Sequence, residues 1–154
     1  MRSQIGPERR RIGWNAMIRE LSATAREHFE QPRNVGSLNP TDPDVAAALV
    51  GEPASGAILQ LHLRVNERGL ITAARFKAYG CGWTIACGSL LTECIQGRLL
   101  VETAQFRHHE LVTRLDAPPE KLHCAVLAET ALKAALHAHA VKPTLNPTLQ
   151  FEHP

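Results

Sequence analysis

The sequence predicts an α+β domain in which a three-stranded antiparallel sheet carries helices packed on one of its faces. Three observations point there. Residues 57–65 (AILQLHLRV) alternate apolar and polar, residues 66–69 (NERG) read as a hairpin turn, and between residues 83 and 140 the predicted elements are helices. Strands first and helices afterwards place the helices against a single sheet. A chain of 154 residues holds one domain, and its 44% apolar and 21% charged residues exclude wholesale disorder.

Taken in order, residues 1–12 hold Arg2, Arg9, Arg10 and Arg11 without apolar periodicity and are expected to be a flexible extension; Glu8 and the short length speak against a transit peptide. The domain proper is expected over 13–141. Trp14, Met17, Ile18, Leu21 and Ala25 form the stripe of one amphipathic helix that Pro32 stops. Three prolines, two asparagines and a glycine make 31–44 a surface loop. A short strand is expected near Ala47–Val50. It precedes the 57–65 strand, whose Leu59, Leu61, Leu63 and Val65 face inward and whose Gln60, His62 and Arg64 face outward. Residues 70–79 return. Gly80-Cys81-Gly82 converts strand to helix, a helix follows over 83–96, and Gly97 closes it. One or two short helices are expected in 100–115. The last helix starts at Pro119 or Glu120 and runs to about Ala140, and 142–154 is read as an extended tail.

Seventeen basic against fifteen acidic side chains leave a net charge of +2, too little to argue for nucleic acid. No apolar run reaches the roughly 18 residues of a membrane span, and no signal peptide is evident, so a cytoplasmic protein is expected. In that compartment four cysteines favour thiol or metal chemistry over disulfides.

Cys81, flanked by glycines at a helix start, is placed where a thiol is pulled toward thiolate; judged locally it is equally a small buried cysteine in a tight turn. His123-Cys124 suits zinc, iron or an iron–sulfur cluster, though the dipeptide alone is a weak signal. Cys87 and Cys94 share a helix face with Trp83 and read as buried hydrophobes; Cys87 becomes a ligand only if the helix starts irregularly. His108, His109, His137 and His139 read as surface histidines.

Five segments go further: HFEQPRNVGSL (28–38), LVGEPASG (49–56), VNERGLI (65–71), FKAYGCG (76–82) and APPEKLHC (117–124). In this order and spacing the chain, from about residue 15 to 140, resembles the IscU/NifU N-terminal family of iron–sulfur cluster assembly scaffolds. The resemblance implies an α+β fold with a cluster or zinc site at one exposed end. It implies a [2Fe–2S] cluster or iron as cargo, with zinc in the cluster-free form. A cysteine desulfurase supplies sulfur, and acceptor apoproteins receive the cluster. By position it assigns ligand roles to Cys81, His123 and Cys124. It also relates Ala117-Pro118-Pro119-Glu120-Lys121 to the family's Leu-Pro-Pro-Val-Lys docking site for an Hsp70-type chaperone, with Pro118, Pro119 and Lys121 kept and the two apolar anchors missing.

Two departures stand out. The family's Pro-Ala-Cys-Gly-Asp is here Pro53-Ala54-Ser55-Gly56-Ala57, so a hydroxyl replaces the first thiolate. The family's Gly-Ser-Ala-Ile-Ala-Ser is here Gly82-Trp83-Thr84-Ile85-Ala86-Cys87, and Trp83 is expected to cover or reshape the mouth of the site. Two readings follow. The first is a scaffold or carrier holding metal or cluster through Cys81, His123 and Cys124, with a fourth ligand from Cys87, Ser55, water or a partner. The second is a non-enzymatic paralogue acting as adaptor or regulator of the desulfurase machinery. A zinc hydrolase fits poorly: the H-x-E…P-C-x-x-C signature is absent and no glutamate lies at helical spacing beside Cys81.

Overall fold

A computed structural model describes residues 20–142. The elements are α1 (Ala23–Glu30), β1 (Val45–Glu52), β2 (Ala57–Val65), β3 (Ile71–Tyr79), α2 (Gly82–Ile95), α3 (Leu100–Thr103), α4 (His108–Leu115), a 3-10 turn (Pro119–Lys121) and α5 (Leu122–Val141). The sheet is antiparallel in the order β1-β2-β3. Helix α5 lies over β1 and β2, α2 lies over β3, α1 packs against α2, and α4 packs against α5, α2 and α1. The α+β architecture and the single helical layer agree with the sequence. Among the described residues no helix is long and apolar enough to cross a membrane.

The alternation of β2 builds the core: Leu59, Leu61, Leu63 and Val65 are buried together with Ala74 and Phe76 of β3. Gly69 completes the hairpin at φ +81°. The strand expected near Ala47–Val50 extends to eight residues, Val45–Glu52, because each residue finds a partner on β2 from Arg64 to Ala57.

Two expectations are corrected. The helix expected to run unbroken from Trp14 has its start outside the described residues, and Ser22 caps a helix beginning at Ala23 by accepting the Ala25 N–H at 3.0 Å. Leu21 and Ala25 keep their core positions. His62, assigned to the solvent face of β2, is buried. The 31–44 segment does not stay clear of the sheet: Asn34 and Gly36 bond to the backbone of Phe76 at the β3 edge, and Leu38 N–H donates to His62 Nδ1 at 2.9 Å. A period-2 pattern cannot show that a loop will cover the outer face.

Helix α2 is buried on almost every side, with mean apolar character all round rather than a stripe. Three of its hydroxyls are buried. Ser89 contacts His28 Nδ1 at 2.7 Å and accepts the Arg33 N–H at 2.9 Å, while Thr92 donates to Ser89 O and receives the Asn34 side chain. These bonds dock α1 and the 33–34 segment on the helix. The third hydroxyl, on Thr84, belongs to the site described below.

A buried carboxylate holds the other side of the layer. Glu129 of α5 accepts from the His108 N–H, His108 Nδ1 and Lys133, each at 2.7 Å. His108 is therefore the anchor of the α4 N-terminus and not an idle surface histidine. Burial alone would push the Glu129 carboxyl up, but the Lys133 and His108 donors outweigh it and hold it at about 2.

Two predictions follow. At Gly88 an added Cβ would sit 2.6 Å from Phe76 Cδ2, 2.7 Å from Cε2 and 3.3 Å from Leu59 Cδ1. Gly88→Ala gains about 1 kcal/mol of helix propensity but overpacks a buried ring at a cost of about 1–3 kcal/mol; urea unfolding should show a net loss. For Glu129, the folded-state value lies below the ordinary carboxylate value of 4.5, so its stabilisation is present above that pH and is lost as pH falls toward 2. Glu129→Gln should lower Tm at pH 7, and the gap to the unaltered protein should close between about pH 5 and 2.

Candidate metal centre

One end of the sheet carries the chemistry. Strand β3 ends at Tyr79, Gly80 turns, and Cys81 is the N-cap of α2 with φ −78° and ψ 174°. The β1–β2 turn lies at the same end, since Glu52 pairs with Ala57 and Ile58 with Tyr79. His123 and Cys124 occupy the first turn of α5, just after the 3-10 turn that Pro119 opens. The N-termini of two helices therefore converge on one place, and their unpaired N–H groups make it favourable to negative charge.

The sulfurs of Cys81 and Cys124 are 3.8 Å apart, and Cys124 Sγ is 3.6 Å from His123 Nε2. In a tetrahedral site with sulfur about 2.3 Å and nitrogen about 2.0–2.1 Å from the metal, sulfur–sulfur edges are about 3.8 Å and sulfur–nitrogen edges about 3.6 Å. Both edges match, and two thiols with an imidazole are the donors that zinc, iron and cluster iron prefer. Among the described residues no three His, Cys, Asp or Glu side chains already surround a common point. The arrangement is two matched edges meeting at Cys124, not a closed shell.

Cys81 is half-buried and Cys124 fully buried. The Cys81 thiol is pulled well down, first by the hydrogen bond from Cys124, against burial, and further by Thr84 and the Trp83 N–H at the helix start. The same contact and burial push Cys124 up. The pair thus favours negative charge at Cys81 over Cys124.

The other cysteines separate cleanly. Helix α2 starts regularly, with the N–H groups of Thr84 and Ile85 both on Cys81 O, so the irregular start that would deliver Cys87 is absent. Cys87 is buried in the core and pushed up to about 12 by that burial and by the negative charge of Cys81. Cys94 lies about 20 Å along the helix from Cys81 at 1.5 Å per residue. It is buried and receives Arg114 Nη1 at 2.9 Å.

Ser55 is exposed in the β1–β2 turn, and its hydroxyl accepts the Ala57 N–H at 3.2 Å while its own N–H donates to Glu52 at 2.8 Å. The hydroxyl is thus engaged within its own turn. The Ser55 side chain, then its N–H and that of Ala54, hold the Glu52 carboxyl below its usual value against burial, with a smaller contribution from the charge of His123. Trp83 does not cover the mouth as expected: it is 2% exposed within the core, and its indole N–H has no partner. An indole followed by a core-period stripe could have signalled this inward placement.

Thr84 is the site residue to which the sequence assigned no role. Its Oγ1 lies 3.7 Å from Cys81 Sγ and donates to Cys124 Sγ at 3.6 Å. The only signal was its position three residues after Cys81, on the same helix face. Pro119 is exposed, with Pro118 and Lys121 half-buried, beside the centre at the entry to α5. A surface cleft of about 900 Å³, lined by Asp42, Asp44, Glu67 and His139 among others, is at the opposite end, by the β2–β3 turn, and holds no cysteine.

A family model described as the NifU-like N-terminal domain matches residues 21–145. The iron–sulfur cluster assembly scaffold protein IscU of Azotobacter vinelandii is 47% identical over 119 residues, covering 77% of this chain and 93% of that protein. IscU of Escherichia coli K12 is 46% identical over 110 residues, covering 71% and 86%. A crystal structure of a NifU-like N-terminal protein from Brucella abortus superposes with a TM-score of 0.65 at 16% identity, over 82% of this chain and 99% of that one, a likeness of fold. The β-sheet with its helical layer, the paired thiols at the helix starts and this identity over most of the chain agree: the protein is a member of the NifU-like N-terminal domain family.

Proposed function

We propose that the protein is a non-enzymatic scaffold or carrier for iron–sulfur cluster assembly, holding iron or a [2Fe–2S] cluster as cargo through Cys81, His123 and Cys124. The single observation that carries this is Cys124 Sγ at 3.8 Å from Cys81 Sγ and 3.6 Å from His123 Nε2, at the joint N-termini of two helices. Its relatives are named as iron–sulfur cluster assembly scaffold proteins. In this reading the protein works in the cytoplasm, takes sulfur from a cysteine desulfurase and delivers to acceptor apoproteins. Zinc occupies the donors when no cluster does. The turn with Pro118, Pro119 and Lys121 is the surface offered to an Hsp70-type chaperone, with less apolar grip than the family motif provides.

The chain's own residues support reversible holding. Three protein donors leave one position open, and an open position favours exchange over retention. The Cys81 thiol, pulled down by its contact with Cys124, loses its proton to a metal more readily than an ordinary thiol. Ser55 would have to lose a proton of much higher pKa to do the same. That loss also keeps the second reading alive: with Ser55 engaged in its own turn, the protein acts as an adaptor for the desulfurase machinery and assembles nothing.

Anaerobic reconstitution with iron and sulfide separates the readings. Visible charge-transfer absorption with stoichiometric iron is expected for the unaltered protein, and Cys81→Ala or Cys124→Ala should abolish it. Cys94→Ala should leave it nearly unchanged, since that sulfur lies about 20 Å from Cys81. Absence of iron uptake in the unaltered protein would leave the adaptor. Ser55→Cys with Ala57→Asp should lengthen the lifetime of the reconstituted cluster severalfold, because a thiolate then fills the open position. Cys87→Ser should not shorten it, and a loss there would make Cys87 the missing ligand.

A further inference from the structure

We infer that Thr84 is a positioning residue for the metal or cluster cargo: its hydroxyl donates a hydrogen bond to the Cys124 sulfur and holds that buried sulfur ready as a ligand. This rests on the scaffold reading and deepens it. The hydroxyl is 1% exposed with its residue, so water cannot replace it. Its sulfur contacts are Cys124 at 3.6 Å and Cys81 at 3.7 Å. The two other buried hydroxyls of α2, on Ser89 and Thr92, serve the docking of His28, Arg33 and Asn34. Thr84 alone of the three faces the thiols.

The fold makes room for this hydroxyl. A Cβ at Gly80 would lie 2.8 Å from Thr84 Oγ1, 3.1 Å from its Cβ and 3.2 Å from Ala57 Cβ. Gly80, at φ +157°, therefore leaves the room that the Thr84 hydroxyl occupies beside the sulfurs. The Thr84 N–H, bonded to Cys81 O at 3.0 Å, fixes the backbone of the same residue. The donor is a feature of this chain, because the family pattern has alanine there.

The chemistry follows from burial. Cys124 is 1% exposed, and a thiolate bound to metal in so dry a place keeps part of its negative charge, which a nearby O–H stabilises. A hydroxyl carries one proton and serves one sulfur at a time. The shorter contact is to Cys124, the sulfur with less access to water. A hydrogen bond to a ligating sulfur withdraws electron density, which raises a cluster's reduction potential and moves sulfur-to-metal charge transfer to higher energy.

The test uses the full chain with Co²⁺ alone as spectroscopic probe, Zn²⁺ competition for affinity, and cyclic voltammetry of the iron–sulfide reconstituted form. Thr84→Val, of equal shape, should weaken Co²⁺ binding about 10- to 100-fold. It should also shift the thiolate-to-cobalt band to lower energy and lower the cluster potential. Thr84→Ser should restore all three, and Thr84→Ala, which carries the family residue and so suits the fold, should repeat the valine result. Gly80→Ala should mimic it in part by pushing the hydroxyl aside. Unshifted bands and unchanged affinity in both Thr84→Val and Thr84→Ala overturn the inference while the scaffold reading stands. Failure of Thr84→Ser to restore them overturns it equally, since a purely structural role then accounts for the loss. Absence of any Cys81- and Cys124-dependent cobalt band in the unaltered protein overturns the reading beneath it, and the inference with it.

Discussion

The close seating of α2 on the sheet is the constraint on which the rest depends. At Gly88 the helix backbone approaches the Phe76 ring so nearly that no Cβ fits, and the helix is buried on nearly all sides as a result. A helix seated this deeply has a fixed start. Its first turn must emerge where β3 ends, so Cys81 is delivered to the sheet edge with little freedom to move. Helix α5, packed over β1 and β2 and against α2, brings its own first turn to the same edge. Core packing, more than any bond at the site, sets the 3.8 Å between the two sulfurs.

Electrostatics then gives that juxtaposition its character. Two helix N-termini face one small volume, and two cysteines and a histidine lie in it. The contact between the two sulfurs pulls the Cys81 thiol down, helped by Thr84 and the Trp83 N–H, while the same contact and then burial push Cys124 up. Cys87, a few residues on in the same helix, shows the contrast: it has burial without donors, and remains a thiol. The same residue type is thus shifted in opposite directions within one helix and its neighbour, according to which groups point at it.

Much of this was legible in the sequence. The alternation of Leu59, Leu61, Leu63 and Val65 gave the central strand and its buried face, since a period of two can be read without knowing what covers it. The glycines around Cys81 and the Pro118-Pro119 break placed two helix starts. Cys94 read as a buried hydrophobe from its place on one helix face with Cys87 and Trp83, and it is buried. Less was legible where distant segments meet. His62 read as outward because nothing local shows that Leu38 will cross over it. Glu129 drew no role from the sequence, although it holds the start of α4. Trp83 read as a lid because an indole beside a site suggests a cover, whereas the helix turns it inward.

By itself the sequence determined the elements, their order, the family pattern and the candidate donors Cys81, His123 and Cys124. The elements depend on near neighbours along the chain, where periodicity, turn chemistry and spacing act; the donor roles came from the resemblance of five short segments to the family. Tertiary structure alone decided that Ser55 spends its hydroxyl on its own turn, that Cys87 stays in the core, and that Thr84 stands between two sulfurs 43 residues apart in the chain. The physical reason is that hydrogen-bond partnership and burial are set by which surfaces pack together, and side chains far apart in sequence acquire partners only when α2 and α5 close over the sheet.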